Sequence, residues 1–324
     1  MKRWIRVAAT LVVTSLAVAY ILSKVNLGKT VDIITGASVP WLVLSALLTL
    51  ITVPPMAWRW QLLLRVRGVH DRLAWLTRTY FVSYAVGQVL PTSVGGDASR
   101  IFETSRRHPG QITPITGSVL LERVLGGAVT LLLAGIGLLL AIGRYPIGAY
   151  LWVEALFVAG TVVFAFVIFS RRVRARLRFF VPYARRFRVE ALLRAVYEGL
   201  HGYRDHPGTL LVVAAVSASQ QLTRIVAIYA SGRAVGIHLS LLPYVVLGPL
   251  LFLVMLVPFT VNGIGVREAF FVSFLGKLGI AHDPAFACGF LFFVLLLLLA
   301  LPGVCVIIWE NVFGRRTAVV PDGT

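Results

Sequence analysis

The sequence predicts an all-α fold: a polytopic membrane helical bundle with an inverted-topology internal repeat and two re-entrant helical hairpins. Composition is the first reason. The 324 residues are 58% hydrophobic and only 14% charged, with a mean hydropathy of +0.86, whereas soluble domains are about 45–50% apolar and about 25% charged. The second is a succession of apolar runs of roughly 17 to 28 residues, close to the 20 or so helical residues that cross a hydrocarbon core. The third is a motif that occurs twice at a fixed spacing together with its flanking apolar runs.

Lys2, Arg3 and Arg6 precede an apolar run at 7–23. A basic start followed by an apolar stretch resembles a signal peptide, but the further runs favour an uncleaved anchor. Those runs cover 40–58, 75–90, 115–142, 150–170, 207–230, 241–257, 269–280 and 284–309. Arginine placement sets the orientation. Residues 171–206 hold ten arginines against Glu190, Glu198 and Asp205, so this segment belongs in the cytoplasm. It is expected to form an amphipathic helical segment on the membrane surface, attracted to anionic lipid. Residues 59–78, with Arg59, Arg65, Arg67, Arg72 and Arg78, read as a cytoplasmic loop, as does the tail with Arg315 and Arg316. The connections at 24–39, 143–149 and 231–240 carry few charges and suit the outside. Both termini are then cytoplasmic, in a multi-pass protein of the inner (cytoplasmic) membrane.

One run lies between two inside-facing basic stretches, 59–78 and 100–107. A single crossing cannot begin and end on the same side. A hairpin that enters at 75–90, turns near 91–96 and returns resolves the conflict. Such irregular backbone persists at membrane depth only where protein or a wet cavity surrounds it.

The turn itself is the repeated motif. Residues 91–100 and 258–267 both read P-x-[ST]-V-x-G-x-x-x-R, an offset of 167 residues from Pro91 to Pro258. The same offset carries 40–57 onto 207–224 and 115–142 onto 282–309. One transmembrane domain, 1–324, is therefore expected to contain repeats at approximately 40–142 and 207–309, joined by a span and the basic segment. Inverted repeats with broken helices meeting near the midplane recur among transporters. A gene-duplicated bundle of ordinary hairpins, without transport, is the alternative.

The candidate residues cluster at the two turns. Pro91 and Pro258 end the incoming helices, since proline lacks an N–H. Gly95, Gly96, Gly263 and Gly265 permit tight turns and close approach. Helices restarting near Asp97 and Gly265 would point free N–H groups inward, with Arg100 and Arg267 about one turn further on. Together with Asn262 these groups could hold a phosphate, which guanidinium binds in bidentate fashion. Alternatively each arginine pairs with Asp97, Glu103, Glu122 or Glu268. Glu122 and Arg123 lie two turns into the run 115–142. Ser118, Glu122 and Gly126 share one face, and Gly126, Gly127, Gly135 and Gly137 suit close helix packing. Arg224 is a further charge inside a span, where charge must face the protein interior.

Several classes are excluded. The net charge of +18 lies between apolar runs rather than in a nucleic-acid-binding patch. Cys288 and Cys305 share one run, too far apart on one helix to bond. His70, His108, His201, His206, His238 and His282 lack metal-ligand spacing, so neither metal nor cofactor is expected.

The residues Arg59-Trp60, 91–100, 121–125 and 262–268 make the sequence resemble the lysylphosphatidylglycerol synthase transmembrane-region family, also called flippase-like domain proteins. The resemblance runs from about Lys2 to Arg315, and its last motif is the most specific. Gly126 stands where many relatives have an aspartate, so that carboxylate's role does not carry over. The family includes the membrane part of enzymes that make and flip lysyl-phosphatidylglycerol, and stand-alone proteins linked to moving polar lipids or lipid-linked sugars. Synthesis requires a cytosolic aminoacyl-transfer domain, which is not expected here. The resemblance implies a non-enzymatic flippase or scramblase acting on a polar phospholipid or lipid-linked sugar. An intramembrane enzyme modifying a lipid headgroup would need clustered carboxylates or a nucleophile–base pair, which the dispersed acids do not supply. An accessory subunit of a glycolipid pathway is a third class. No P-loop motif is present, so uphill transport would draw on an ion gradient or a partner. Both monomer and homodimer are compatible with the sequence.

Overall fold

The computed structural model describes residues 25–89, 94–146, 148–169, 202–203, 205–256, 263 and 265–313. Every element among them is helical: α1 (Leu27–Thr35), α2 (Val39–Ile51), α3 (Val53–Val66), α4 (Leu73–Val89), α5 (Val94–Arg107), α6 (Ile112–Ala141), α7 (Gly148–Phe169), α8 (Pro207–Ala234), α9 (Leu242–Leu256), α10 (Val266–Gly276) and α11 (His282–Phe313). The expected anchor at 7–23, residues 91–93 and 258–262 of the two hairpin turns, and nearly all of the basic segment lie outside the described residues; residues 94–96, expected within the first turn, begin α5.

Among the described residues, four stretches are long and apolar enough to cross a membrane: Val39–Val66, Ile112–Ala141, Pro207–Ala234 and His282–Val312. Their outer faces carry large apolar side chains, including Leu47, Ile51, Leu132, Leu139, Leu211, Leu301 and Ile308, all exposed. In water so wide a patch would drive aggregation; in lipid it is the natural surface of a spanning bundle. The chain is a multi-pass membrane protein. The first span is α2 and α3 end to end, jointed at Thr52, whose hydroxyl donates to the Thr49 carbonyl at 2.6 Å. Pro54 and Pro55 follow in the first turn of α3, where a missing N–H is tolerated.

Two features depart from the sequence reading. Arg59 does not begin a cytoplasmic loop: α3 continues to Val66 and buries Arg59. The run Gln61-Leu62-Leu63-Leu64 keeps that helix apolar beyond the charge, so the chain leaves the bundle only near Gly68. Of the five glycines on α6, only Gly137 makes a close approach, its missing Cβ position lying 3.2 Å from the Val245 carbonyl of α9; Gly117, Gly126, Gly127 and Gly135 face open space.

Helices α4 and α5 pack together, as do α9 and α10. Each pair is embraced by a span from the other half of the chain: α4 lies along α11, and α9 lies along α6. Spans α2 and α8 pack on one another, where Ser45 Oγ donates to the Ala227 carbonyl at 2.7 Å and lies 3.0 Å from Ser231 Oγ. One core cluster collects α9, α10 and the first half of α11 around Tyr244, Phe271 and Phe274. Another collects α3, α4 and α6 around Trp60, Leu76 and Ile115.

Gly303 is what lets α4 and α11 touch. A Cβ there would sit 2.0 Å from the Phe81 carbonyl oxygen, an overlap that only backbone movement relieves. Gly303→Ala should therefore lower thermal stability by about 1–3 kcal/mol, whereas Gly135→Ala, meeting open space, should not. Unfolding of the two purified variants in detergent checks this; equal midpoints would contradict the packing.

Candidate functional site

The bundle interior holds one extended polar network, and its centre is Glu122. The residue is 3% exposed, some three turns into the 30-residue α6. A carboxylate so placed is strongly unfavourable without partners. Arg59 of α3 binds it through Nη2, and Arg100 of α5 binds its other oxygen through Nη1 at 2.7 Å. The Tyr80 hydroxyl of α4 donates to Glu122 and accepts from Arg100. Four helices thus meet on one carboxylate.

The outer contacts of this group are equally defined. Arg59 Nη1 donates to Ser217 Oγ at 2.8 Å and to Gln220 Oε1 at 3.0 Å, which adds α8 to the network. Trp60, next along α3, donates its indole N–H to Ser118 Oγ at 2.9 Å. Ser118 and Glu122 occupy the same face one turn apart, as their spacing requires. The Arg100 guanidinium lies 4.6 Å from the Tyr80 ring centroid and 4.9 Å from that of Trp60, a cation–π cradle that partly replaces lost hydration.

Arg100 has little left to offer a ligand. Its Nε donates to Asp97 Oδ1 at 3.1 Å, its Nη2 lies 2.9 Å from the same oxygen, and Nη1 serves Tyr80 and Glu122. Asp97 also takes Arg123 from α6, whose side chain is 45% exposed. The i, i+3 pair Asp97–Arg100 puts an acid in the first turn of α5, where the helix dipole favours it. Gly95 and Gly96 are buried in that turn. A Cβ at Gly96 would fall 2.6 Å from the Ser83 carbonyl, so glycine here permits α5 to press against α4.

The second motif is built differently. Gly263 and Gly265 have φ of 74° and 84°, left-handed values that glycine adopts without strain. Gly265 caps α10, and Glu268 reaches back to accept its N–H at 2.7 Å. The other oxygen of Glu268 accepts from Arg267 Nε at 2.9 Å and Nη2 at 2.5 Å. Arg267 is fully buried, its guanidinium 4.6 Å from the Phe293 ring centroid, and its Nη1 has no partner among the described residues. Arg100 and Arg267 occupy separate clusters with no contact between them among the described residues. Pro91, Pro258 and Asn262 lie outside the described residues.

Glu103 pairs not with Arg100 but with Arg78 at 2.7 Å, and Arg78 also binds Glu310 of α11. Asp71 gathers Arg107 at 2.8 Å and His108 at 2.7 Å. These bridges fasten the outer ends of α4 and α5. Arg224 sits on α8, one turn beyond Gln220, half-buried and within electrostatic reach of the Tyr84 hydroxyl together with Arg100 and Arg59. It makes no hydrogen bond or ion pair among the described residues. Sequence reasoning missed Arg59, Tyr80, Ser217 and Gln220. The signal for Arg59 was the apolar stretch continuing past it; Tyr80 carried none. Among the described residues no group of three or more His, Cys, Asp or Glu side chains could hold a metal ion.

Removing Glu122 leaves two buried arginines without their shared counter-charge. Glu122→Ala should cost about 3–5 kcal/mol of stability, while Arg123→Ala, which removes a side chain that is 45% exposed and leaves Asp97 its bond to Arg100, should cost under about 1 kcal/mol. Thermal unfolding of both variants provides the comparison, and comparable losses would show that the network is not centred on Glu122.

Residues 7–303 match the family model described as lysylphosphatidylglycerol synthase TM region, a stretch that takes in every residue of this network. No curated protein matches the chain. The extent of that match settles kinship: the chain belongs to the lysylphosphatidylglycerol synthase TM region family.

Proposed function

We propose that this chain moves a lipid with a phosphate-bearing polar headgroup between the leaflets of the inner membrane, as a flippase or scramblase and without chemistry of its own. The observation that carries the reading is Arg224. Ser217, Gln220, Gln221 and Arg224 lie on successive turns of α8 and form a polar stripe inside a spanning helix. Ser217 and Gln220 are used by Arg59, and Gln221 by Thr130; Arg224 is left. Around the stripe, among the described residues, the interior arginines Arg59, Arg100 and Arg224 face the carboxylates of Asp97 and Glu122 and no others. The interior therefore carries more positive charge than it balances, and an intramembrane cation of this kind marks a pathway or a ligand. A phosphodiester supplies the missing negative charge in a form guanidinium binds well.

The architecture supports the same reading. Shifted by 167 residues, α4 falls at 240–256 and α6 at 279–308, where α9 and α11 lie. Each of the four short helices, at 17, 14, 15 and 11 residues, falls short of the roughly 20 needed to cross. In this proposal the pairs α4–α5 and α9–α10 are re-entrant hairpins of opposite orientation, with both termini cytoplasmic. Acyl chains remain in lipid while the headgroup passes along α8. The basic segment 171–206 would hold anionic lipid at the cytoplasmic surface.

In vesicles, Arg224→Gln should slow transfer of a fluorescent phosphatidylglycerol by roughly ten- to a hundredfold, the loss of one charge-assisted contact. Its unfolding temperature should not fall, because among the described residues Arg224 has no internal partner to strand. Arg224→Lys should recover part of the rate. Transfer at the wild-type rate by folded Arg224→Gln would overturn the proposal.

A further inference from the structure

A second cationic cluster sits at the far end of α8, at the boundary opposite the one the basic segment 171–206 leads into. Arg233 occupies the last turn of α8 and shares Nη1 with His238 Nδ1 at 2.9 Å. Because Nδ1 accepts there, the remaining ring proton of His238 is on Nε2, directed away from Arg233. The guanidinium lies 5.5 Å from the Trp41 ring centroid. Trp41 stands edge-on to Tyr229 at 6.1 Å, and Tyr229 edge-on to Tyr244 at 5.5 Å. The Ser38 N–H donates to the Ala234 carbonyl at 2.9 Å, which fixes the start of α2, and so Trp41, against this end of α8.

Among the described residues, two donors in this cluster have nothing to donate to. Arg233 Nε is buried without a partner, and so is Tyr244 Oη on a residue that is 0% exposed. They belong to one place. The Tyr244 hydroxyl rests against α8 at Gly232, where an added Cβ would lie 2.2 Å away, within electrostatic reach of Arg233 and with its ring against Tyr229. No carboxylate pairs with Arg233 among the described residues. Burying donors without acceptors is strongly disfavoured. His238 and Gly236 are exposed, so water reaches the edge of the cluster.

We propose that Arg233, His238 and Tyr244, walled by Trp41 and Tyr229, form a phosphate-binding site at this boundary. An oxyanion meets the free N–H, the free O–H and the unbalanced charge at once; a sugar hydroxyl or a single water would leave the charge unmet. The aromatic wall suits a group lying at headgroup depth, where tryptophan and tyrosine collect. The phosphate could come from a lipid headgroup or from free phosphate. This site shares no residue with the Arg224 stripe, and its existence does not depend on the transport reading.

The test is calorimetric titration of the purified full chain in a polyoxyethylene detergent, which carries neither phosphate nor sugar. Dihexanoyl phosphatidylglycerol and inorganic phosphate are the two probes. Saturable binding of either probe is expected, weakened at least tenfold in Arg233→Gln, several-fold in Tyr244→Phe, and unaltered in Arg224→Gln. Binding of the lipid alone assigns the site to a headgroup; binding of inorganic phosphate alone assigns it to the free anion. If Arg233→Gln fails to fold, Tyr244→Phe and His238→Ala carry the comparison, since both preserve the cationic helix end. Absence of binding, or binding unchanged in the folded variants, overturns the site. Loss of transport in Arg224→Gln with this binding intact would separate the two proposals.

Discussion

Half of this bundle is organised around one negative charge placed where hydrocarbon surrounds the protein. Arginine at such depth cannot be left bare, and Glu122 answers two of them at once. Because its two oxygens are divided between Arg59 and Arg100, moving either arginine unbalances the other. The helices that carry them therefore cannot shift independently. Tyr80 closes the arrangement by joining carboxylate to guanidinium, and Ser217 with Gln220 extends it to α8. Electrostatics here acts as positioning. Apolar packing alone would let α3, α4, α5 and α6 slide in lipid, since a lipid tail is as good a neighbour as leucine.

Among the described residues, the opposite half has no such centre. At the offset of 167, Glu122 corresponds to Gly289, Arg59 to Val226, Tyr80 to Leu247 and Asp97 to Ile264. Only the motif arginine persists, as Arg267, and it is matched by its own neighbour Glu268. The space a glutamate would need is taken by Phe271, whose ring lies 3.1 Å from the missing Cβ of Gly289. One half holds its helices by charge and the other by aromatic packing. Two arginines at equivalent positions thus have unequal capacity for a ligand: every guanidinium nitrogen of Arg100 already has a partner, whereas Nη1 of Arg267, with its two N–H groups, is buried without one among the described residues.

The spans, the all-helical class and the family were legible because apolar run length is a strong signal and the glycine-arginine motifs are specific. The pairing of Arg100 with Asp97 was legible too, since three residues on a helix is a contact distance. Arg59 was misplaced for a physical reason. Charge density near 59–78 suggested a loop, but a single arginine inside a helix is tolerable once a carboxylate waits for it, and Glu122 lies 63 residues further along the chain. Tyr80, Ser217 and Gln220 were hidden in the same way. Their roles arise only when α4 and α8 are brought against α3 and α6, and no local pattern encodes that meeting. Pro91, Pro258 and Asn262 lie outside the described residues, so the structure describes the helices on either side of them.

Helix α8 relates the two candidate anion sites, and its geometry limits how they could work together. Arg224 and Arg233 are nine residues apart, about 13.5 Å along the axis and roughly half a turn around it at 100° per residue. They therefore look out from opposite sides of the helix. Between them in sequence is Ser231, which with Ser45 and the Ala227 carbonyl seals α8 against α2. A headgroup that visited both sites could not follow a straight groove along one face; it would have to pass around α8 or wait for α8 to turn. Hydroxyl contacts between small residues are the kind of seal that can open, since each is worth only about 0.5–1.5 kcal/mol net. The Glu122 network, far costlier to break, would meanwhile hold α3, α4, α5 and α6 as one unit. Under the transport reading, the α2–α8 contact is then where access would change, and the buried ion pairs are the frame against which it would move.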